Sequence, residues 1–131
     1  MGSSYSYQPL SAASEIRILE LDSADAPSAP LHASLAHEPL DQITPYEALS
    51  YTWGADVFPH QLHIGPESHT INITSNLHSA LQHLRPRTGP PRRLWIDALC
   101  INQADPDEKS KQIPLMAAIY RDATKVIAWL G

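Results

Sequence analysis

The stretch Arg93-Leu94-Trp95-Ile96-Asp97-Ala98-Leu99-Cys100-Ile101-Asn102-Gln103 decides how this chain folds. Its first half is apolar and strand-like, and it ends at an acid. Small polar side chains follow at once, and then a charged, helix-opening run, Asp105-Pro106-Asp107-Glu108-Lys109. A buried strand that leaves through Asp, Cys, Asn and Gln is either managing its own backbone or building a site. In open α/β sheets, ligands sit outside the carboxyl ends of the strands. These residues lie there if 94–96 is a central parallel strand.

Outward from that segment, periodicity assigns the other elements. Residues 16–21 read as a strand, and the alternation over 31–36 predicts a half-exposed strand paired with it. Residues 46–51 form the next strand. Residues 61–64 and 70–73 flank Gly65-Pro66-Glu67-Ser68, a hairpin signal. A helix is predicted over 76–84, capped by Ser75, with Leu77, Ala80, Leu81 and Leu84 on one face and Pro86 setting its end. Residues 125–130 are predominantly apolar and read as a strand buried on both faces. Asp105, Pro106 and Glu108 fit the cap, first turn and third position of a capping box. Pro114 then kinks that helix, or separates one short turn from a main helix over 113–122 that buries Leu115, Met116, Ile119 and Tyr120. From Tyr46 on, with the inserted hairpin set aside, the order is strand, helix, strand, helix, strand. That order predicts an α/β fold with a parallel-sheet core, an N-terminal β-hairpin and an inserted β-hairpin.

Composition narrows the function classes. The 131 residues suffice for one domain with a real core. A formal net charge of -5 gives no basic footprint for nucleic acid. The single cysteine excludes an internal disulfide and fits a reducing compartment, so a cytoplasmic location is expected. No apolar run approaches the ~20 residues of a membrane span. The N-terminus lacks the basic and apolar regions of a secretory signal. Gly2 with Ser6 meets the loose N-myristoylation pattern, which chance meets easily. Residues 1–14 are polar and Ser- and Ala-rich and read as a disordered tail; residues 15–131 read as the domain.

Several blocks, in order and spacing, resemble one family. They are Tyr46-Glu47-Ala48-Leu49-Ser50-Tyr51-Thr52-Trp53-Gly54, the helix from Ser75 to Arg85, the stretch quoted first, and Gln112, Met116, Ile119-Tyr120, Ala123, Val126 and Trp129-Leu130-Gly131. Together they closely resemble the heterokaryon-incompatibility (HET) domain of filamentous fungi, over roughly 15–131. The resemblance implies a signalling module for non-self recognition and regulated cell death, acting through protein partners or self-association. HET domains in turn resemble Toll/interleukin-receptor (TIR) domains in element order, which implies a TIR/flavodoxin-like core. Some TIR domains cleave NAD with a glutamate on the helix after the third core strand. The alternative is therefore an NAD glycohydrolase that kills by depleting NAD, with NAD as substrate and no other cofactor. The chain reads as truncated after the third core strand, which leaves that helix out and uncovers apolar side chains over 126–130.

Each candidate site residue has a plainer reading beside its functional one. Asp97 accepts hydrogen bonds either from a ligand or Ser50, or from nearby backbone amides. Cys100 is a nucleophile only if its pKa is lowered by a base, and is otherwise a buried thiol. Asn102 and Gln103 either fix a loop or present amides to a ribose or base. Ser50 and Tyr51 lead into Trp53 and Gly54; Trp53 stacks on a ring or packs in the core, and Gly54 permits a left-handed turn. Ser50, Trp53, Asp97, Asn102 and Gln103 are expected to converge at the carboxyl edge of the sheet. Glu47 and Glu108 are the weak candidates for a catalytic carboxylate, against Glu108 as a capping residue. His60 and His63 make an H-x-x-H spacing without the third ligand that zinc requires, so no metal is expected. Arg85, Arg87, Arg92 and Arg93 either hold an anion or form a solvated charged loop.

Overall fold

Glu15–Leu21, strand β1, buries four residues in succession, Ile16 to Leu19, and a strand of that kind needs a neighbour on each edge and cover on each face. The computed structural model describes residues 4–11, 14–51 and 57–129 and supplies both neighbours. On one edge β1 runs antiparallel to β2 (His32–Pro39), with Glu15 opposite Pro39 and Leu21 opposite Ala33. The strands that follow are β3 (Glu47–Tyr51), β4 (His60–Ile64), β5 (His69–Ile73), β6 (Arg92–Trp95) and β7 (Lys125–Trp129). On its other edge β1 pairs antiparallel with β6, Leu19 opposite Leu94. The described strands form one sheet in the order β5-β4-β2-β1-β6-β3-β7.

The parallel core is real but small. β3 lies between β6 and β7 and runs parallel to both, with Ala48 opposite Trp95 and Leu49 opposite Ile127. The two hairpins are not appendages to it. β4 and β5 pair antiparallel, β4 joins β2 in parallel, and all four hairpin strands extend the same sheet. The result is a mixed seven-stranded α/β sheet rather than a purely parallel one. The connection between β4 and β5 is the expected four-residue turn, in which Gly65 adopts φ +77.

Helix α1 (Ser75–Leu84) follows the sequence pattern: Leu77, Ala80, Leu81 and Leu84 are its buried residues. Its cap differs by one position. Thr74, not Ser75, takes the extended conformation and accepts from the Leu77 amide at 3.2 Å. Ile96 follows β6 as the residue before a short helix α2 (Asp97–Cys100), an element that the sequence pattern does not predict. Pro114 resolves into a break: α3 (Pro106–Gln112) gives way to a 3-10 turn, Ile113–Leu115, and then to α4 (Met116–Asp122). Ile119 is the buried residue of α4, and its carbonyl accepts from the Tyr46 hydroxyl.

Strand β7 corrects one expectation. It is not buried on both faces. Among the described residues its strand neighbour is β3 alone, and Lys125, Val126 and Ala128 are exposed, Val126 by 50%. An apolar strand at a sheet edge has the same composition as one at the centre, so residue types alone did not separate the two.

Candidate functional site

The register of the parallel pair sets the site. With Glu47 opposite Leu94 and Ala48 opposite Trp95, the chain leaves β3 through Ser50-Tyr51 at the same sheet end where it leaves β6 through Ile96-Asp97. A cleft of about 300 Å³ opens at that end. Tyr51 reaches it from β3, and Ala98, Leu99, Asn102, Gln103 and Ala104 reach it from α2 and the loop beyond. Ile71, Asn72, Ile73, Thr74 and Leu77 contribute from β5 and the start of α1, Phe58 from the approach to β4, and Tyr7 from the N-terminal segment.

The loop that presents Asn102 and Gln103 is held from behind by a buried charge. Arg17 of β1 is fully buried and its guanidinium meets the Glu108 carboxylate twice, Nη1 to Oε2 at 2.6 Å and Nη2 to Oε1 at 2.7 Å. Arg17 also donates to the Cys100 carbonyl at 3.2 Å and to the Gln8 carbonyl at 2.8 Å, and lies 4.8 Å from the centre of the Tyr7 ring. Tyr7 in turn donates its hydroxyl to the Leu99 carbonyl at 2.7 Å. Glu108 Oε2 accepts from the Asn102 amide at 2.6 Å. Burial pushes the Glu108 carboxyl up, but the hydrogen bonds from Arg17 and from the Asn102 amide outweigh it, and its pKa is lowered. One ion pair thus ties together β1, residues 7–8, α2, the Asn102 loop and α3. The residues expected to form a mobile tail are, at 4–8, laid on the domain: Tyr5 N donates to the Thr70 carbonyl at 2.8 Å, beside a bridge from Ser4 to Thr70.

The other sequence candidates fall as follows. Asp97 is the first residue of α2; burial raises its pKa, partly offset by the backbone amide of Ala98. It is near enough to Tyr51 and Tyr120 to add to the rise that burial gives both phenols. Its carbonyl accepts from Gln103 Nε2 at 2.8 Å, so Asp97 buttresses the cleft wall without lining it. Ser50 is exposed on β3 and also outside the lining. Cys100 is in the core: burial pushes its thiol up to about 12, and its sulfur accepts from the Ile96 amide at 3.4 Å. A thiol so placed is neither ionised near neutral pH nor in reach of a ligand. Trp53 and Gly54 lie outside the described residues.

Both candidate catalytic carboxylates are engaged. Glu108 does not close a capping box; Asp105 alone caps α3, its Oδ1 accepting from Asp107 N and Glu108 N, and Glu108 turns to Arg17 instead. Glu47 takes Arg92 Nε at 2.6 Å and Nη2 at 3.3 Å. It also sits four residues before Tyr51, about 13 Å along the strand at ~3.3 Å per residue. The arginines around the proline-rich loop have protein partners. Arg85 donates to the carbonyls of Ala29, Pro30 and Pro27, Arg87 meets Asp25, and Arg93 bridges Glu20 and Glu38. His60 stacks on His78, ring centres 3.8 Å apart, and among the described residues no group of three or more His, Cys, Asp and Glu is placed to hold a metal.

Tyr7, Phe58, Asn72 and Arg17 were missed in the sequence. Only Arg17 carried a signal: a guanidinium between isoleucines in a strand read as buried demands a carboxylate partner.

With this geometry in view, comparison with known proteins is specific. The sequence model of the heterokaryon incompatibility protein (HET) family matches residues 46–131. The chain is 35% identical over 143 aligned positions, covering 99% of its length, to heterokaryon incompatibility protein 6, OR allele, of Neurospora crassa. This chain belongs to the heterokaryon incompatibility family. It spans 21% of the length of that relative. No solved structure matches it. None of its described helices is long and apolar enough to cross a membrane.

Proposed function

We propose that this domain is a signalling module of fungal non-self recognition, whose engagement commits a cell to regulated death. It works in the cytoplasm, through protein partners or through self-association. The observation that carries this reading is the family relationship along 99% of the chain to a protein of heterokaryon incompatibility. Its working surface is the cleft at the carboxyl ends of β3 and β6, lined by Tyr51, Asn102 and Gln103 and buttressed by Asp97.

We also infer that β3, β6 and β7 are a core of the flavodoxin or TIR kind. Numbered in chain order they lie side by side as 2-1-3, the order with which flavodoxin-like sheets begin. That kinship is one of fold, and the chemistry of NAD cleavage does not follow from it. Stabilising a cationic sugar needs an accessible carboxylate, and the candidates Glu47 and Glu108 are each held by an arginine. The signalling reading is the one we favour.

The test is expression of the chain in a living fungal strain, beside Ala104→Trp, which fills the cleft from an exposed position. Death with the natural chain and survival with the equally folded variant is the expected pair. Survival with both overturns the signalling reading; death with both overturns the cleft as its working surface.

A further inference from the structure

The chemistry of the cleft specifies what it holds, given that it is the working surface proposed above. No lining residue among those described is charged: the walls are aromatic, aliphatic, hydroxyl and carboxamide. An anion entering such a cleft loses water and meets no cation, an expensive exchange. Arg17, whose guanidinium lies 4.8 Å from the centre of the Tyr7 ring, is already bonded to Glu108, Cys100 and Gln8. The described walls therefore favour a neutral occupant.

It is also flat. Tyr7, Tyr51 and Phe58 arrive from three separate segments to line a cleft of about 300 Å³, near the small end of ligand pockets. Rings gain most from other rings, in offset or edge-to-face packing.

The carboxamides add an edge with polarity. Asn102 Oδ1 accepts from the Ala104 amide at 3.2 Å, which fixes that side chain and leaves its amino group as a donor. Gln103 Nε2 donates to the Asp97 carbonyl at 2.8 Å, which leaves its carbonyl oxygen as an acceptor. A donor and an acceptor on neighbouring residues complement a ring edge that carries an acceptor beside a donor. Adenine presents that pattern to carboxamide side chains, and stacked, edge-bonded recognition is how proteins read splayed bases. We infer that the cleft binds an uncharged planar heteroaromatic ring of the nucleobase class, with its polar edge toward Asn102 and Gln103.

The experiment is a titration of the isotope-labelled chain with adenosine and, separately, with adenosine 5′-monophosphate, followed through the side-chain amide signals of Asn72, Asn102 and Gln103. Adenosine is expected to shift these signals saturably. The monophosphate is expected to bind at least tenfold more weakly, and Ala104→Trp to abolish both responses. Equal binding of the monophosphate, saturable binding that survives Ala104→Trp, or no saturable shift with adenosine overturns the inference. If adenosine fails while Ala104→Trp still silences the death response in cells, the ligand class is wrong and the working surface stands. If adenosine binds and the variant kills as well as the natural chain, the ring site stands and the signalling role of the cleft falls.

Discussion

Arg17 and Glu108, 91 residues apart in the chain, meet through two hydrogen bonds of 2.6 and 2.7 Å, with the arginine side chain wholly buried and the glutamate almost so. A pair in this setting gives little net stability compared with apolar residues of the same volume, but breaking it is costly because one charge is left buried alone. Glu108→Ala is expected to destabilise the domain by about 3–5 kcal/mol in urea unfolding. The double replacement Arg17→Met with Glu108→Leu is expected to recover most of that loss. A Glu108→Ala loss below about 1 kcal/mol would mean that the guanidinium finds water or another partner.

The same pair makes stability depend on pH. The Glu108 pKa is lowered in the folded state, so the unfolded chain binds the proton more tightly. Its contribution is fully present above the unfolded value of about 4.3 and is lost as pH falls through the folded value. Chemical denaturation at stepped pH should show stability dropping in that acid window, by less in the double variant. Identical acid slopes for the two proteins would contradict the assignment.

Ile96 is fully buried where β6 passes into α2. Ile96→Ala is expected to cost about 2–5 kcal/mol, as for other large-to-small changes in cores. Thermal or urea melts measure it, and a loss under about 1 kcal/mol would place this junction outside the core.

Cys100 is expected to resist modification while the domain is folded. Its thiol is buried and its pKa is pushed up by that burial to about 12. A disulfide reagent at pH 8 should label it at the rate of unfolding and no faster. Rapid stoichiometric labelling under native conditions would show the thiol open to solvent.

Incubation of the chain with NAD is expected to release no detectable nicotinamide, since Glu47 and Glu108 are each committed to an arginine. Robust release that disappears in Glu108→Gln would make that carboxylate catalytic after all. Release that disappears only in Glu47→Gln would move the chemistry to the far end of β3.

Where a residue pattern reports on its own element, the sequence was legible. Leu77, Ala80, Leu81 and Leu84 gave the face of α1, and the alternation after Leu31 gave the partner of β1. A strand's pattern reports which of its positions are apolar, not which strand lies beside it, nor, as β7 shows, whether it has a neighbour on both edges. The antiparallel seam between β1 and β6, which fuses the hairpin to the parallel core, is a pairing of distant segments with no local trace. Thr74 and Ser75 are both good caps, and only the backbone conformation of Thr74 chooses between them. Of the residues that line the cleft, Tyr51, Asn102 and Gln103 could be expected at this sheet end because strand ends in α/β sheets are where side chains gather. Tyr7, Phe58 and Asn72 were not, because each reaches the cleft from a segment whose place depends on the whole sheet.

The path of residues 4–8 carries a practical consequence. Tyr7 is one wall of the cleft, and the Gln8 carbonyl is a partner of the Arg17 guanidinium. A deletion of residues 4–8, or a dye attached among them, is therefore not a neutral change. It disturbs a cleft wall and a partner of a buried cation together, so a protein altered there reports on an altered domain.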